Sequence, residues 1–146
     1  MNDPAPDLLT QAREAVRRRG RATSARVRVL AHLLGAPTAL SHADLEAALG
    51  GRVDRVTLYR SLDWLITQGL AHRIAGEDRV WRYGAASVSD ARAAAHAEHA
   101  HFHCQACARV YCLPELQPVF ALSLPPGFHI HKAALTLHGF CPRCSG

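Results

Sequence analysis

Five cysteines and a run of histidines are the residues of this chain with the most chemistry to offer. Cys104-x2-Cys107 and Cys141-x2-Cys144 form two CxxC pairs, Cys112 is left over, and His96, His99, His101 and His103 lead into the first pair. Two CxxC pairs supply four thiolates, enough to close a tetrahedral zinc site with bonds of roughly 2.3 Å. The 33 residues between the pairs are many for a simple zinc ribbon, so secondary structure must return the chain. Two redox dithiols, or free buried cysteines, fit the same spacing. The spacing favours structural zinc on Cys104, Cys107, Cys141 and Cys144.

His99 and His101 are two residues apart, so on a strand they share a face, which suits paired coordination by imidazole. Exposed histidines without a ligand role satisfy that spacing too. His103 has the same parity but adjoins Cys104, and His96 lies in an alanine-rich stretch where solvent is as good a partner. Cys112 is placed just down the same strand or turn. A lone cysteine is ordinarily a small buried hydrophobe. Beside these histidines it becomes a candidate ligand, and a soft thiolate with imidazoles suits zinc or Cu(I) better than Fe(II) or Mn(II).

The elements that must position these groups can be read from caps and periodicity. LLTQAREAVRRR (8–19) reads as a short helix ended by Gly20. Thr23 or Ser24 caps a second helix, with Val27, Leu30, Leu33 and Leu34 at helical spacing and Gly35 and Pro37 ending it. Ser41 caps SHADLEAALGG, and Gly50-Gly51 stops it. Asp54 caps RVTLYRSLDWLITQG, with Leu58, Leu62, Leu65 and Ile66 inward and Thr57, Arg60, Ser61 and Trp64 outward. LAHRI and RVWRYG then read as short strands around an AGED turn. Helices followed by a β-hairpin is the plan of a winged helix-turn-helix, whose last helix enters the major groove. Thr57 and Arg60, with Tyr59 beside them, suit bases and phosphates. An ordinary helical domain with a polar face fits the same pattern.

Residues 85–98 (AASVSDARAAAHAE) read as a hinge, and HFHCQACARVYCL alternates like a strand. PELQPVFALSL reads as a helix stopped by Pro-Pro-Gly, and FHIHKAALTLHGFC as one or two strands. A unit of this size is marginal without a staple, and zinc supplies one.

Composition agrees with two small units. Apolar residues make up 49% and charged residues 20% of 146, which excludes a disordered chain. The net charge is +5, and 13 of the 17 basic residues fall within 1–84. Residues 85–146 hold 7 of the 10 histidines and all 5 cysteines. No apolar run approaches the roughly 18 residues of a membrane span. MNDPAPDLL has no signal-peptide pattern, so a cytoplasmic location is expected, where CxxC pairs hold metal more often than disulfides.

With these residues in place, the chain resembles the ferric uptake regulator family of dimeric, metal-dependent repressors. The resemblance rests on GRATSARVRVL, RVTLYRSLDWLITQGL and HAHFHCQAC…HGFCPRC, in matching order over nearly the whole length. It implies an α+β fold: a winged-helix DNA-binding domain (1–84), a hinge (85–98) and a small α/β dimerisation domain (99–146) stapled by four-cysteine zinc. It also implies a second metal that orients the DNA-binding domains. DNA contacts fall on Thr57, Tyr59 and Arg60, with Arg21 as the basic residue reaching the minor groove. The sensory histidines fall on His99 and His101.

The iron-type pattern fits less well. Its histidine before the third helix falls on Ala39, its acidic wing-strand residue on Arg82, and its glutamate after the CxxC on Cys112. No aspartate pair stands ready for a peroxide-type site. The family's zinc uptake regulators match better, placing a ligand in the GL-x-H position, here His72. Their usual wing-strand cysteine is missing, and Cys112 would supply the sulfur instead. His72, His99, His101 and Cys112 would then form a closed three-nitrogen, one-sulfur zinc site. Positions for a further family metal site fall on Glu98, Ala100, Val119 and Ala133, three of which cannot coordinate.

The expectation is therefore a homodimeric zinc-responsive repressor with two zinc ions per subunit, binding a palindromic double-stranded operator of metal-uptake genes. Neither a membrane nor a small organic substrate is expected as partner. An iron-, copper- or thiol-redox-responsive regulator on the same fold is the alternative. A zinc enzyme would need an open coordination position and a nearby acid or base, and only Glu98 and Glu115 are close in sequence. No enzymatic activity is expected.

Overall fold

The structure is a computed structural model that describes residues 3–86, 100–113, 115–116, 123–130 and 134–146. Four helices open the chain. Helix α1 (Pro6–Arg17) begins at a proline, whose fixed φ suits the first turn and whose missing N–H costs nothing there. In α2 (Ser24–Gly35) the Thr23 hydroxyl accepts from the Arg26 amide at 3.3 Å.

Ser41 and Asp44 close a reciprocal capping box on α3 (His42–Leu49), which Gly50 ends at φ 56°. Asp54 caps α4 (Arg55–Thr67), its carboxylate accepting from the Thr57 amide at 2.9 Å and the Thr57 hydroxyl at 2.6 Å. Asp54→Ala is expected to cost about 1 kcal/mol, read as a lower denaturant midpoint at unchanged slope.

The helices bury one leucine-rich core: Leu30, Leu45, Leu49, Leu58, Leu62 and Leu65 are fully enclosed. Three positions on α4 differ from the sequence expectation. Ser61, read as outward, is buried, because it follows Leu58 by three residues and precedes Leu65 by four, on the same side of the helix. Ile66, read as inward, is only partly buried. Trp64, also read as outward, packs partly buried against the core with the Arg26 guanidinium 3.9 Å above its ring.

Strands β1 (Leu40–Ser41), β2 (Ala71–Ala75) and β3 (Trp81–Ala85) form the wing sheet in the order β1-β3-β2. Its hairpin register sets His72 opposite Gly84. A second sheet has the order β5-β4-β6, from β4 (Ala100–Cys104), β5 (Val110–Leu113) and β6 (Thr136–Gly139).

Here too the structure differs from the sequence reading. HFHCQACARVYCL is a hairpin rather than one strand, because two thiols three residues apart can converge only if the chain turns. The turn at 105–107 is followed by Ala108 at φ 58°, and the Ala108 amide donates to the Cys104 carbonyl at 3.0 Å. Cys112 consequently lies on β5, directly across from His101.

The two sheets touch. Val110 and Cys112 pack against Ala39 and Ile74, and the Ala39 amide donates to the Val110 carbonyl at 2.8 Å. The hinge expected at 85–98 falls, beyond Ala86, outside the described residues, as does most of the helix expected in PELQPVFALSL. Among the described residues no helix is long and apolar enough to cross a membrane.

Candidate metal centres and nucleic-acid interface

Parallel pairing of β4 with β6 puts Cys104 opposite Gly139, so the turns that follow the two strands meet. Those turns carry Cys104, Cys107, Cys141 and Cys144, whose sulfur atoms all lie within 4.8 Å of one another. Cys107 and Cys141 are 3.9 Å apart, and all five cysteines are free thiols.

The Cys141 amide donates to Cys104 Sγ at 3.4 Å. That amide and the Cys107 amide hold the Cys104 thiol down to about 6. The Tyr111 hydroxyl, bonded to Cys141, lowers that thiol too, while the Cys144 thiol, itself bonded to Cys141, is pushed up to about 12. Backbone donors aimed at sulfur stabilise thiolates before any cation arrives. Four converging sulfurs, two of them buried, fit a zinc site.

A second cluster spans the two sheets. His72 from β2, His101 from β4 and Cys112 from β5 place their donor atoms within 4.8 Å of one another. His72 Nε2 lies 3.3 Å from Cys112 Sγ, and the His72 and His101 ring centroids are 5.4 Å apart. Burial pushes the Cys112 thiol up to about 11. A half-buried neutral thiol beside two imidazoles is a poor nucleophile, and becomes a thiolate readily only when a cation takes the proton's place. His99, expected with this group, lies outside the described residues, as does His96. Ala39, where the iron-type pattern has histidine, is instead an apolar packing contact of Val110. Arg82, where that pattern has an acid, is paired with Asp78 at 2.7 Å.

No family model matches the chain, and no curated protein matches it. Solved structures do. A zinc uptake regulator complexed with zinc and DNA aligns at TM-score 0.65 and 23% identity, over 94% of this chain and 92% of that one. Holo XcZur aligns at 0.62 and 20%, over 97% and 99%. The Helicobacter pylori ferric uptake regulator, described with three functional metal-binding sites, aligns at 0.59 and 14%, over 100% and 98%. The chain has the uptake-regulator fold.

The outer face of α4 carries the residues expected to meet DNA. Arg60 is exposed, and Val56 and Tyr59 project beside it. Tyr59 stacks on His42 at 3.7 Å between ring centroids, so its ring is held in one orientation. Thr57 is less free than its outward position implied, because its hydroxyl is committed to the Asp54 cap. Arg21 is exposed at the start of the turn into α2, and its carbonyl accepts from the Arg26 guanidinium at 2.8 Å.

Sequence reasoning missed two contacts between the units. Glu77, at the wing turn, meets His138 of β6 at 2.6 Å, and His138 in turn lies beside His103. Gly84 borders the His72–Cys112 contact. No periodic signal announces a pair 61 residues apart or a residue without a side chain.

Proposed function

We propose that the chain is a zinc-responsive DNA-binding repressor, acting as a homodimer on a palindromic operator that controls metal-uptake genes. The observation that carries this reading is the convergence of His72, His101 and Cys112 across the contact between wing and second sheet. Cys104, Cys107, Cys141 and Cys144 would hold one zinc permanently. His72, His101 and Cys112, with His99, would hold the regulatory one. Bound there, zinc would supply a closed nitrogen-and-sulfur coordination linking the two units.

The donor set disfavours Fe(II) and Mn(II), which prefer carboxylate and water. The raised pKa of the half-buried Cys112 thiol disfavours a peroxide-sensing role, which needs an acidic thiol. Phe128, Ile130 and Phe140 are large, exposed apolar side chains of the second unit, a surface suited to a second copy.

The test is a metal-swap binding assay on duplexes selected from a random pool. DNA binding should respond to Zn(II) and be indifferent to Fe(II), Mn(II) and peroxide. Binding equal in strength without metal would overturn the reading. Arg60→Ala should weaken DNA binding and lower the slope of log affinity against log salt by about 1, with zinc uptake unchanged; anisotropy titrations at several salt concentrations measure both.

A further inference from the structure

The proposed regulatory cluster is bordered by a position with no side chain. Gly84 lies inside β3, is buried, and faces His72 across the hairpin. A Cβ built there would stand 2.8 Å from His72 Cε1, 2.9 Å from His72 Nε2 and 3.0 Å from Cys112 Sγ. Favourable separations between carbon atoms are about 3.5–4.0 Å, so at least one of these groups would have to move.

The backbone does not require glycine at this place. Gly84 is absent from the residues with positive φ, whereas Gly51 (φ 80°) and Gly127 (φ 89°) have that conformation and nothing within 4 Å of a Cβ. Glycine within a strand lacks a side chain to pack and loses more conformational freedom on folding than alanine. A glycine kept in such a place marks a close approach, and the close approach here is of a thiol and an imidazole.

We propose that Gly84 is the positioning residue of this site. Its missing side chain is the gap through which a sulfur from the second sheet reaches an imidazole on the wing. This inference rests on the metal-site reading of His72, His101 and Cys112. Cys112 cannot easily retreat, because it faces His101 across the β4–β5 ladder and packs against the Ala39, Ile74 and Val110 group. A side chain at position 84 would therefore swing the His72 ring away or part β3 from β5. Either movement separates the donors without touching the helical core. Position 84 thus decides whether a sulfur on β5 can serve the wing at all.

The test compares the wild type with Gly84→Ala and Cys112→Ser, all with the four-cysteine site loaded. Cobalt(II) added to the second site is followed by its sulfur-to-cobalt charge-transfer band, and zinc affinity by competition with a chromophoric chelator. Gly84→Ala should weaken the removable zinc at least about tenfold, in the range seen when groups that orient ligands are lost. It should also shift the cobalt spectrum, while thermal unfolding of protein lacking the second metal is undiminished. Wild-type affinity and spectrum in Gly84→Ala, with the band lost in Cys112→Ser, would overturn the positioning role alone. A wild type indistinguishable from Cys112→Ser would overturn the metal-site reading and this role with it. Failure of Gly84→Ala to fold would also overturn the role, by placing the cost in the hairpin rather than in the site.

Discussion

Cys104→Ser is expected to unfold the second sheet while leaving the four helices and their leucine core intact. The sheet is small: its strands are 5, 4 and 4 residues long. Among its described residues the buried side chains are Ala100, His103, Cys104, Val110 and Cys141, so two of the five belong to the thiol cluster itself. Such a unit buries too little apolar area to offset its chain entropy. Structural zinc contributes about 10–16 kcal/mol in small domains, so losing one of four sulfurs removes more than the remaining contacts replace. The helical module has its own enclosed core of Leu30, Leu45, Leu49, Leu58, Leu62 and Leu65. Far-UV circular dichroism should retain the helical signal, native mass spectrometry should show one fewer zinc, and proteolysis should cut within 100–146. Strong chelation of the wild type should reproduce all three. An unchanged proteolytic pattern in Cys104→Ser would show that the thiol cluster is not the staple.

The contrast between what was legible and what was not follows the range of the interactions. Thr23, Ser41, Asp54 and Gly50 were readable because a cap is settled by residues within one turn. The two CxxC pairs were readable because their chemistry lies in their spacing. Ser61 is buried although polar, because helical phase outweighs polarity at that position. The β4–β5 hairpin was missed because alternation along HFHCQACARVYCL persists through the turn, while the reversal is imposed by the need of Cys104 and Cys107 to converge. The partner of Cys112 depends on that reversal, so no one-strand reading could place it opposite His101. Contacts across the two units, Ala39 with Val110 and Glu77 with His138, join segments whose approach only the folded chain decides.

His72→Ala is expected to separate zinc uptake from DNA binding, where Cys112→Ser loses both. His101 and Cys112 are cross-strand partners on one small sheet, so the ladder between β4 and β5 fixes their spacing whatever the wing does. His72 is the only member of the cluster, among the described residues, that comes from the winged module. Removing it leaves the pair on the second sheet able to take zinc, weakened by about 10–100-fold as donors and their supports are lost. What disappears is the differential contact that lets an ion favour one arrangement of the two units, and an effector without differential affinity shifts nothing. The Glu77–His138 pair and the Ala39–Val110 hydrogen bond involve none of the cluster's donors and remain. They set a baseline arrangement, so His72 is expected to supply only the remaining bias. Coupling of this kind amounts to about 1–3 kcal/mol, or roughly 5- to 150-fold in DNA affinity. Anisotropy titrations of a selected duplex at saturating zinc measure it directly. In His72→Ala the zinc-free and zinc-saturated curves should coincide, although calorimetry still detects zinc binding. A wild-type zinc response in His72→Ala would place the link elsewhere, with the Glu77–His138 contact as the next position to break.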